Sequence, residues 1–575
     1  MRLLSDTLLL SGLVLASGAQ QTHFQTHAPS LDHSDLSWNF TTPPADNTTS
    51  HFIFETVNSF LQHWPSTRYR NGHSIVPGTI PLGTLLYHGR TDDRLPTTPE
   101  WTASDPEHSL LFAGDSNATT GTLAGRYLLT FATTRPLNIL YFDGSSAVKL
   151  RDSKNYGGTT DTQDLLVWGR VDPSRWVDED QRIHDLCEWG REFGLDAYVR
   201  MEMDFEAIIC DFSQGLELIS TEYLAGWWTH ESTPQPHSHS DPQTALQFQS
   251  RLTTPELDPF DPSFPVFDMI KFETIHAGTW HDHFPGDTRF VLDLTRFVSF
   301  YDTSLAPSLI SQREGLERWD HRAAEVSDSD LKAVLDRLRS NLERRTPASG
   351  IDWQTLYRTV LQRYAQRLEL VNYLLHSSTR RYTDNELAIR IQTQLRIILV
   401  PYTLHTARPA VPYIDNDASW ALPIWKSCAT THTAYIHRNS NLQSRLTPSE
   451  RLLLGALDDT SREICRVIVR MWAEGVHAGI DPLLPHPRGD GSRQRAGNLE
   501  SLLTSWREEH SRLMTWLDWS VWVKCRPACG DEEMCYLPTW PFFLDGNRSS
   551  EPDRDDRWKR PQPRCIRKFA PYSEL

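Results

Sequence analysis

The hydrophobic pattern of this 575-residue chain changes character near residue 306. Beyond that point, apolar residues recur at intervals of three and four in five long segments, at 327–345, 352–375, 383–400, 446–475 and 498–519. This period places the apolar side chains on one face of a helix. In the fourth segment, Thr447 can cap the helix, Pro448 fits the first turn and Glu450 can close a capping box. We therefore predict a mostly α-helical domain over residues 306–520.

Residues 51–220 follow a different pattern, in which short apolar runs are separated by turns. Residues 51–64 and 182–194 have helical spacing, whereas the runs within 79–89, 125–145 and 194–212 are typical of strands. The order is mixed and lacks the regular strand–helix alternation of a doubly wound sheet, so the sequence predicts an α+β N-terminal domain. A stretch rich in Pro, His and Ser at 229–244 indicates that 221–305 is a linker and strand-containing extension.

The N-terminus has the features of a secretory signal peptide. An apolar run from Thr7 to Ala16 is followed by the small residues Ser17 and Ala19, which predicts cleavage after residue 19. Residues 20–50 are rich in Ser, Thr, Pro and His and are predicted to form a flexible arm.

Glycosylation sequons and cysteines also favour a protein that is secreted or lies in the lumen of the secretory pathway. The chain has eight cysteines, and disulfides persist in that oxidising compartment. Four Asn-x-Ser/Thr sequons are present, at Asn39, Asn47, Asn117 and Asn547.

Half of the cysteines cluster near the C-terminus, at Cys525, Cys529, Cys535 and Cys565. Their spacing lacks the tight pairs on both sides that structural zinc sites usually show. We therefore predict a cysteine-rich, irregular tail over 521–575 that is tied by two disulfides, with the pairing left open. The other four cysteines either pair or remain as buried thiols.

Several classes of function are disfavoured by what the sequence contains. The net charge of −17 argues against nucleic-acid binding, which needs a basic surface. No segment after the leader has the roughly 18 uninterrupted apolar residues of a membrane span. The common nucleotide-binding loops and the G-x-S-x-G nucleophile motif are missing. We therefore predict that the protein is a monomer and that it binds a small molecule or a secreted partner protein.

Two segments could carry chemistry. In the stretch 85–114, His88 ends a predicted strand, and Gly89 offers no side chain to block a flat cofactor group. In 194–212, Glu202, Asp204 and Glu206 alternate, so on one strand they would all point the same way. Three carboxylates on one face are costly in a core and reasonable in a cleft.

Over residues 79–215, these motifs resemble the ADP-ribosyltransferase-like fold. The resemblance implies NAD as the cofactor, with His88 and Gly89 at its nicotinamide ribose and amide. It places Trp101 where that family stacks an aromatic ring on nicotinamide. It makes Glu206 the glutamate that stabilises an oxocarbenium-like transition state, with Glu202 as the rival for that role.

Two positions depart from the family pattern. Arg90 follows His-Gly where the family usually has Thr or Ser, and Trp101 or Ala103 stands in place of its tyrosine. The whole chain also looks like uncharacterised secreted proteins of filamentous fungi, which implies a location and no reaction.

The catalytic hypothesis has a geometric requirement, because a carboxylate stabilises positive charge on the ribose only in a shared, water-poor pocket. His88 and Glu206 must therefore face a common concavity. If they do not, His88 is a loop-capping residue and Glu206 is an ordinary residue of the sheet.

Two other functions remain open. One is a non-catalytic secreted protein that binds a partner or a cell-wall polymer through Trp-rich segments at 225–231 and 516–525. The other is a metal-dependent hydrolase, in which His281 and His283 face one ion from a strand. Its further candidate ligands are His276, Asp282 and Asp287. The NAD-dependent reaction itself calls for no metal.

Overall fold

The structure is a computed structural model. It describes residues 38–45, 47–111, 127–149, 158–224, 266–376, 382–409, 418–481, 483, 492–540 and 560–569. The predicted signal peptide, the Pro/His/Ser-rich stretch at 229–244 and the sequons at Asn117 and Asn547 lie outside these residues.

One large mixed sheet dominates the N-terminal half. Its ten strands within the described residues run in the order β10-β1-β5-β6-β7-β3-β2-β4-β8, and β9 also pairs with β1. All pairings are antiparallel except the parallel pair β5–β6. The strands are β1 (Ser74–Ile80), β2 (Leu85–Arg90), β3 (Glu100–Ala103), β4 (Tyr127–Thr133), β5 (Leu137–Phe142), β6 (Ala197–Met201), β7 (Phe205–Ile209), β8 (Leu216–Tyr223), β9 (Val291–Leu292) and β10 (Val298–Ser299).

Seven described α-helices accompany this half of the chain. They are α1 (Ser50–Ser59), α2 (His63–Arg68), α3 (Pro106–Leu110), α4 (Asp161–Trp168), α5 (Glu179–Gly190), α6 (Val266–Gly278) and α7 (Ser308–Arg313). Leu165 of α4 and Leu186 of α5 pack with Tyr198 and Ile208 on one face of the sheet. The other face belongs to a second core that continues into the helical half.

The C-terminal half is mostly helical. Its described helices are α8 (Asp328–Glu343), α9 (Trp353–His376), α10 (Asp384–Leu399), α11 (Leu422–Thr430), α12 (Ala434–Arg438), α13 (Ser440–Arg445), α14 (Pro448–His477) and α15 (Ser492–Leu517). The predicted capping box at the start of α14 is confirmed. Thr447 accepts a bond from the Glu450 amide at 3.1 Å, and the Glu450 carboxylate accepts one from the Thr447 amide at 2.8 Å.

The tail contains a short ladder of β11 (Glu533–Tyr536) and β12 (Arg564–Arg567). Two disulfides hold it, Cys525–Cys535 and Cys529–Cys565. The other four cysteines form Cys187–Cys210 and Cys428–Cys465, so none of the eight remains free. The predicted fold class, an α+β domain followed by a helical domain and a disulfide-tied tail, is confirmed.

Two observations add to the predicted segmentation. Trp38 and Phe40 fall in the predicted flexible arm, yet both rings pack against Trp425, at centroid distances of 4.8 Å. This part of the arm is anchored because Phe40 is buried and Trp38 partly buried against the helical half. In the predicted extension, β9 and β10 pair with β1 and thereby join the main sheet. Within the described residues, no helix is both long and apolar enough to cross a membrane.

Candidate functional site

Three neighbouring strands bring the predicted site residues to one cleft. In the antiparallel set β7-β3-β2, Ala103 pairs with Glu206 on one side and with Tyr87 on the other. The cleft is narrow, with a cavity volume of about 10 Å³. The residues that line it are Tyr87, His88, Gly89, Trp101, Ala103, His108, Ser109 and Glu206. Segments that are more than 100 positions apart in the chain thus meet at one place.

Local sequence explains how the cleft is closed at one end. After Ala103 the chain leaves the sheet, and Pro106 occupies the first turn of α3, where a missing amide proton costs nothing. This short helix carries His108 and Ser109 over the cleft. The sequence reasoning missed His108, although its position directly after the Trp101 strand was an available signal.

His88 and Glu206 border the same cleft, but their side chains leave the sheet on opposite faces. Directly paired residues of antiparallel strands share a face, and successive residues alternate. Tyr87, Ala103 and Glu206 therefore lie on one face. His88 lies on the other, with its ring 5.8 Å from that of Phe212. The structure does not bring the imidazole and the carboxylate together, so the predicted convergence of His88 and Glu206 is wrong.

The imidazole of His88 has protein partners of its own. Its Nε2 lies 2.7 Å from Oε2 of Glu100, and Arg90 donates to the same carboxylate at 2.7 and 2.8 Å. His88 and Arg90 are thus both bonded to Glu100 of β3. Arg90 is the residue that departs from the family pattern. This three-residue network fastens the ends of β2 and β3 beside the cleft.

Glu206 is held by a buried arginine. Arg200 lies opposite it in the β6–β7 register and donates from Nε at 2.8 Å and from Nη2 at 2.5 Å, both to Oε1. Arg200 is 2% exposed and Glu206 is 3% exposed. Because both bonds go to Oε1, Arg200 leaves Oε2 of Glu206 unengaged.

The three alternating carboxylates do not lie on one strand, so this part of the prediction is wrong. A turn at residues 202–204 separates β6 from β7 and breaks the alternation. Glu206 stays on β7, whereas Glu202 and Asp204 leave the turn toward different neighbours.

Glu202 lies near His108. Oε2 of Glu202 is 3.6 Å from Nε2 of His108 and has no hydrogen-bond partner among the described residues. Burial raises the pKa of Glu202, and the nearby His108 opposes this shift only in part. One donor atom each of His108, Glu202 and Glu206 lies within 4.8 Å of the other two, so this group could hold a metal ion.

Asp204 lies with Asp105 and His281 in a second group of residues that could hold a metal ion. Burial and the negative charge of Asp105 raise the pKa of Asp204 well above its usual range. Burial also disfavours ionised Asp105, but hydrogen bonds from His281 and Arg289 outweigh it and lower the pKa of Asp105. The pKa values of these two neighbouring carboxyl groups are therefore shifted in opposite directions.

The residues of the metal-hydrolase hypothesis do not converge. They lie at the end of α6, in the 3₁₀ helix Thr279–His281 and in the turn that follows, so strand alternation does not apply. Each has a separate neighbour: His276 with Glu273, His281 with Asp105, Asp282 with His63, His283 with the ring of Trp64, and Asp287 with Arg289.

The Trp-rich segment at 516–525 contributes to the core. Trp519 is buried and stacks on Phe54 at 5.5 Å, and Trp522 donates to the carbonyl of Ala365. The other Trp-rich segment, at 225–231, lies outside the described residues.

Comparison with known proteins gives relatives without a stated activity. The family described as YPL277C N-terminal domain matches residues 39–126 and 114–238, which include all three cleft strands. Uncharacterized protein YOR389W of Saccharomyces cerevisiae is 28% identical over 563 residues, covering 86% of this chain and 82% of the relative. Uncharacterized protein YPL277C of the same yeast is 28% identical over 399 residues, covering 58% and 76%. No solved structure matches the chain. The chain is thus similar to yeast proteins along most of its length, and their names carry no reaction.

Proposed function

We propose that the cleft binds the nicotinamide end of NAD and cleaves the nicotinamide–ribose bond, as an ADP-ribosyltransferase-like enzyme or an NAD glycohydrolase. One observation carries the proposal. The His-Gly step, the Trp101 segment and the Glu206 strand, on which the resemblance rests, lie on the adjacent strands β2, β3 and β7 around one cleft.

The cleft is nearly filled by its own side chains. Its cavity volume is about 10 Å³, room for about one water molecule, whereas small-molecule sites measure roughly 300–1,000 Å³. Binding of the nicotinamide end of a dinucleotide therefore requires the lining side chains to move apart. Gly89 leaves room for a flat ring to approach the backbone, and the indole of Trp101 supplies an aromatic surface.

In the proposed reaction, the bond between the ribose carbon and the nicotinamide nitrogen breaks, and its electron pair leaves with nicotinamide. Positive charge then develops on the ribose, and the carboxylate of Glu206 stabilises it. Arg200 fixes that carboxylate through Oε1 and leaves Oε2 for the ribose. Water, or the hydroxyl or amine of an acceptor, forms the new bond to the ribose and loses a proton to Glu202, whose pKa is raised by burial, which makes it a stronger base than an exposed carboxylate.

His88 and Glu206 do not face one concavity, so the requirement set for the pair is not met. The proposal therefore rests on the three adjacent strands and on Glu206, which lines the cleft, and His88 takes a different role from the one that the resemblance implies. Because its imidazole bonds to Glu100 on the opposite face, we assign it as a positioning residue that holds Gly89 at the cleft.

The proposed location is the secretory pathway or the extracellular space. Four disulfides use every cysteine, which suits an oxidising compartment. Asn39 and Asn47, the two sequons in the described residues, are both exposed and so accessible for glycosylation.

Release of nicotinamide from NAD by the purified protein tests the proposal. Glu206→Gln removes the charge at nearly constant shape and should lower the rate on the order of 100-fold, the usual cost of losing one preorganised electrostatic contact. Glu217→Gln, an exposed change on β8, is the matched control and should keep the full rate. No release above buffer by the unmutated protein, with water or with added protein acceptors, would overturn the proposal.

A further inference from the structure

A buried group of one histidine and two glutamates closes the end of the cleft. His108 is 1% exposed, Glu206 is 3% and Glu202 is 8%. They come from α3, from the β6–β7 turn and from β7, and their donor atoms lie within 4.8 Å of one another.

The separation between His108 and Glu202 leaves room for an ion. Their closest atoms, Nε2 and Oε2, are 3.6 Å apart, beyond the roughly 2.7–3.2 Å of a hydrogen bond to nitrogen. Tetrahedral coordination with bonds of about 2.0–2.2 Å places neighbouring ligand atoms roughly 3.4 Å apart. The observed distance therefore matches that of two ligands of one ion.

Two further features fit an ion. Oε2 of Glu202 is buried and has no hydrogen-bond partner among the described residues, which is costly unless something binds there. Arg200 holds Glu206 through Oε1 and so orients its carboxylate, as outer residues orient metal ligands. Since His108 and Glu206 also line the cleft, a fourth coordination position would open into it.

The neighbouring group of Asp105, Asp204 and His281 is a poorer candidate. Nη2 of Arg289 donates to Oδ2 of Asp105 and lies near Nε2 of His281, in both cases at 2.8 Å. The guanidinium thus contacts atoms of two of the three residues that would have to bind an ion.

We propose that His108, Glu202 and Glu206 bind a divalent transition-metal ion, with zinc preferred for one nitrogen and two carboxylate ligands. The ion binds both carboxylates that the proposed NAD cleavage needs, and it therefore inhibits that reaction. The inhibition rests on the proposed function, whereas the metal site itself does not depend on it.

The test uses the full chain, stripped with a chelator and then titrated with zinc chloride. Calorimetry and metal analysis should give one zinc per chain at this site. His108→Ala and Glu202→Gln should each weaken binding at least about 10-fold, because loss of even an outer-shell partner costs 10–100-fold. The exposed His276→Ala, on α6, and the exposed Glu217→Gln are the matched controls and should bind as the unmutated protein does.

Near-ultraviolet circular dichroism of each variant separates lost binding from lost folding. Absence of zinc binding in the unmutated protein, or equal binding in folded His108→Ala and Glu202→Gln variants, would overturn the site. A reduced affinity in folded His281→Ala alone would place the ion in the other group and would also overturn it. Zinc binding in a protein that releases no nicotinamide would support the site and remove the proposed function. Nicotinamide release that is unchanged by saturating zinc would overturn the inhibition.

Discussion

Replacement of the buried Arg200 by methionine should lower the free energy of unfolding more than removal of an exposed charged side chain does. Arg200 is 2% exposed and bonds Glu206, Gln163 and Glu179. Glu179 keeps Lys149 and one more arginine after the change, both at 2.7 Å. The uncompensated charge is therefore that of Glu206 alone.

The expected loss of stability follows from this single unpaired charge. Breaking one buried ion pair by removing one partner costs about 3–5 kcal/mol, since the remaining charge stays buried and unpaired. The free energy of unfolding, from urea titration followed by tryptophan fluorescence, should fall by that amount. Arg191→Met breaks an exposed pair with Glu188, with side chains 73% and 58% exposed, and should cost less than about 1 kcal/mol.

A double variant tests whether the unpaired charge of Glu206 causes the loss of stability. Adding Glu206→Gln to Arg200→Met removes the unpaired charge and should restore most of the lost stability. The reasoning would be refuted by a single variant within about 1 kcal/mol of the unmutated protein, or by a double variant as unstable as the single one.

Two further predictions concern other buried groups. Burial and the charge of Arg313 lower the pKa of His321 to about 3. Because the unfolded chain takes up this proton near pH 6.5, the free energy of unfolding should fall as the pH drops from about 6.5 toward 3, by up to about 1.4 kcal/mol per pH unit. Urea titrations at several pH values should show a shallower fall for His321→Gln, and an equal slope would contradict this. In α14, the added methyl of Gly475→Ala would collide with the buried side chain of Gln392 and should cost about 1–3 kcal/mol, whereas Gly455→Ala on the same helix meets open space and should stabilise by up to about 1 kcal/mol. Thermal unfolding compares the two variants, and equal midpoints would contradict the packing argument.

The helical half could be predicted well because its signals are local. The apolar period of 3.6 residues in α8, α9 and α10 needs no information from the rest of the chain. The same holds for the capping box of α14, where Thr447 and Glu450 are three positions apart. A histidine before a glycine at a strand end, and a strand that carries Glu206, could likewise be found in short windows.

Contacts between different strands and helices could not be predicted from such short windows. The alternation of Glu202, Asp204 and Glu206 predicted one shared face, but a turn interrupts the strand and sends Asp204 toward Asp105. The pairing of Arg200 with Glu206 depends on the register of a hairpin, which shifts every side chain to the other face if it slips by one residue.

The sequence by itself determined the two-part architecture, the cysteine-tied tail and the segments that border the cleft, because each depends on composition or on a local period. Only the tertiary structure decided what those segments do together. Strand order placed β2, β3 and β7 side by side, register sent the side chains of His88 and Glu206 to opposite faces, and α3 brought His108 onto the two glutamates. The physical reason is that contacts between elements depend on pairing and register over more than 100 residues, and no short-range pattern encodes them.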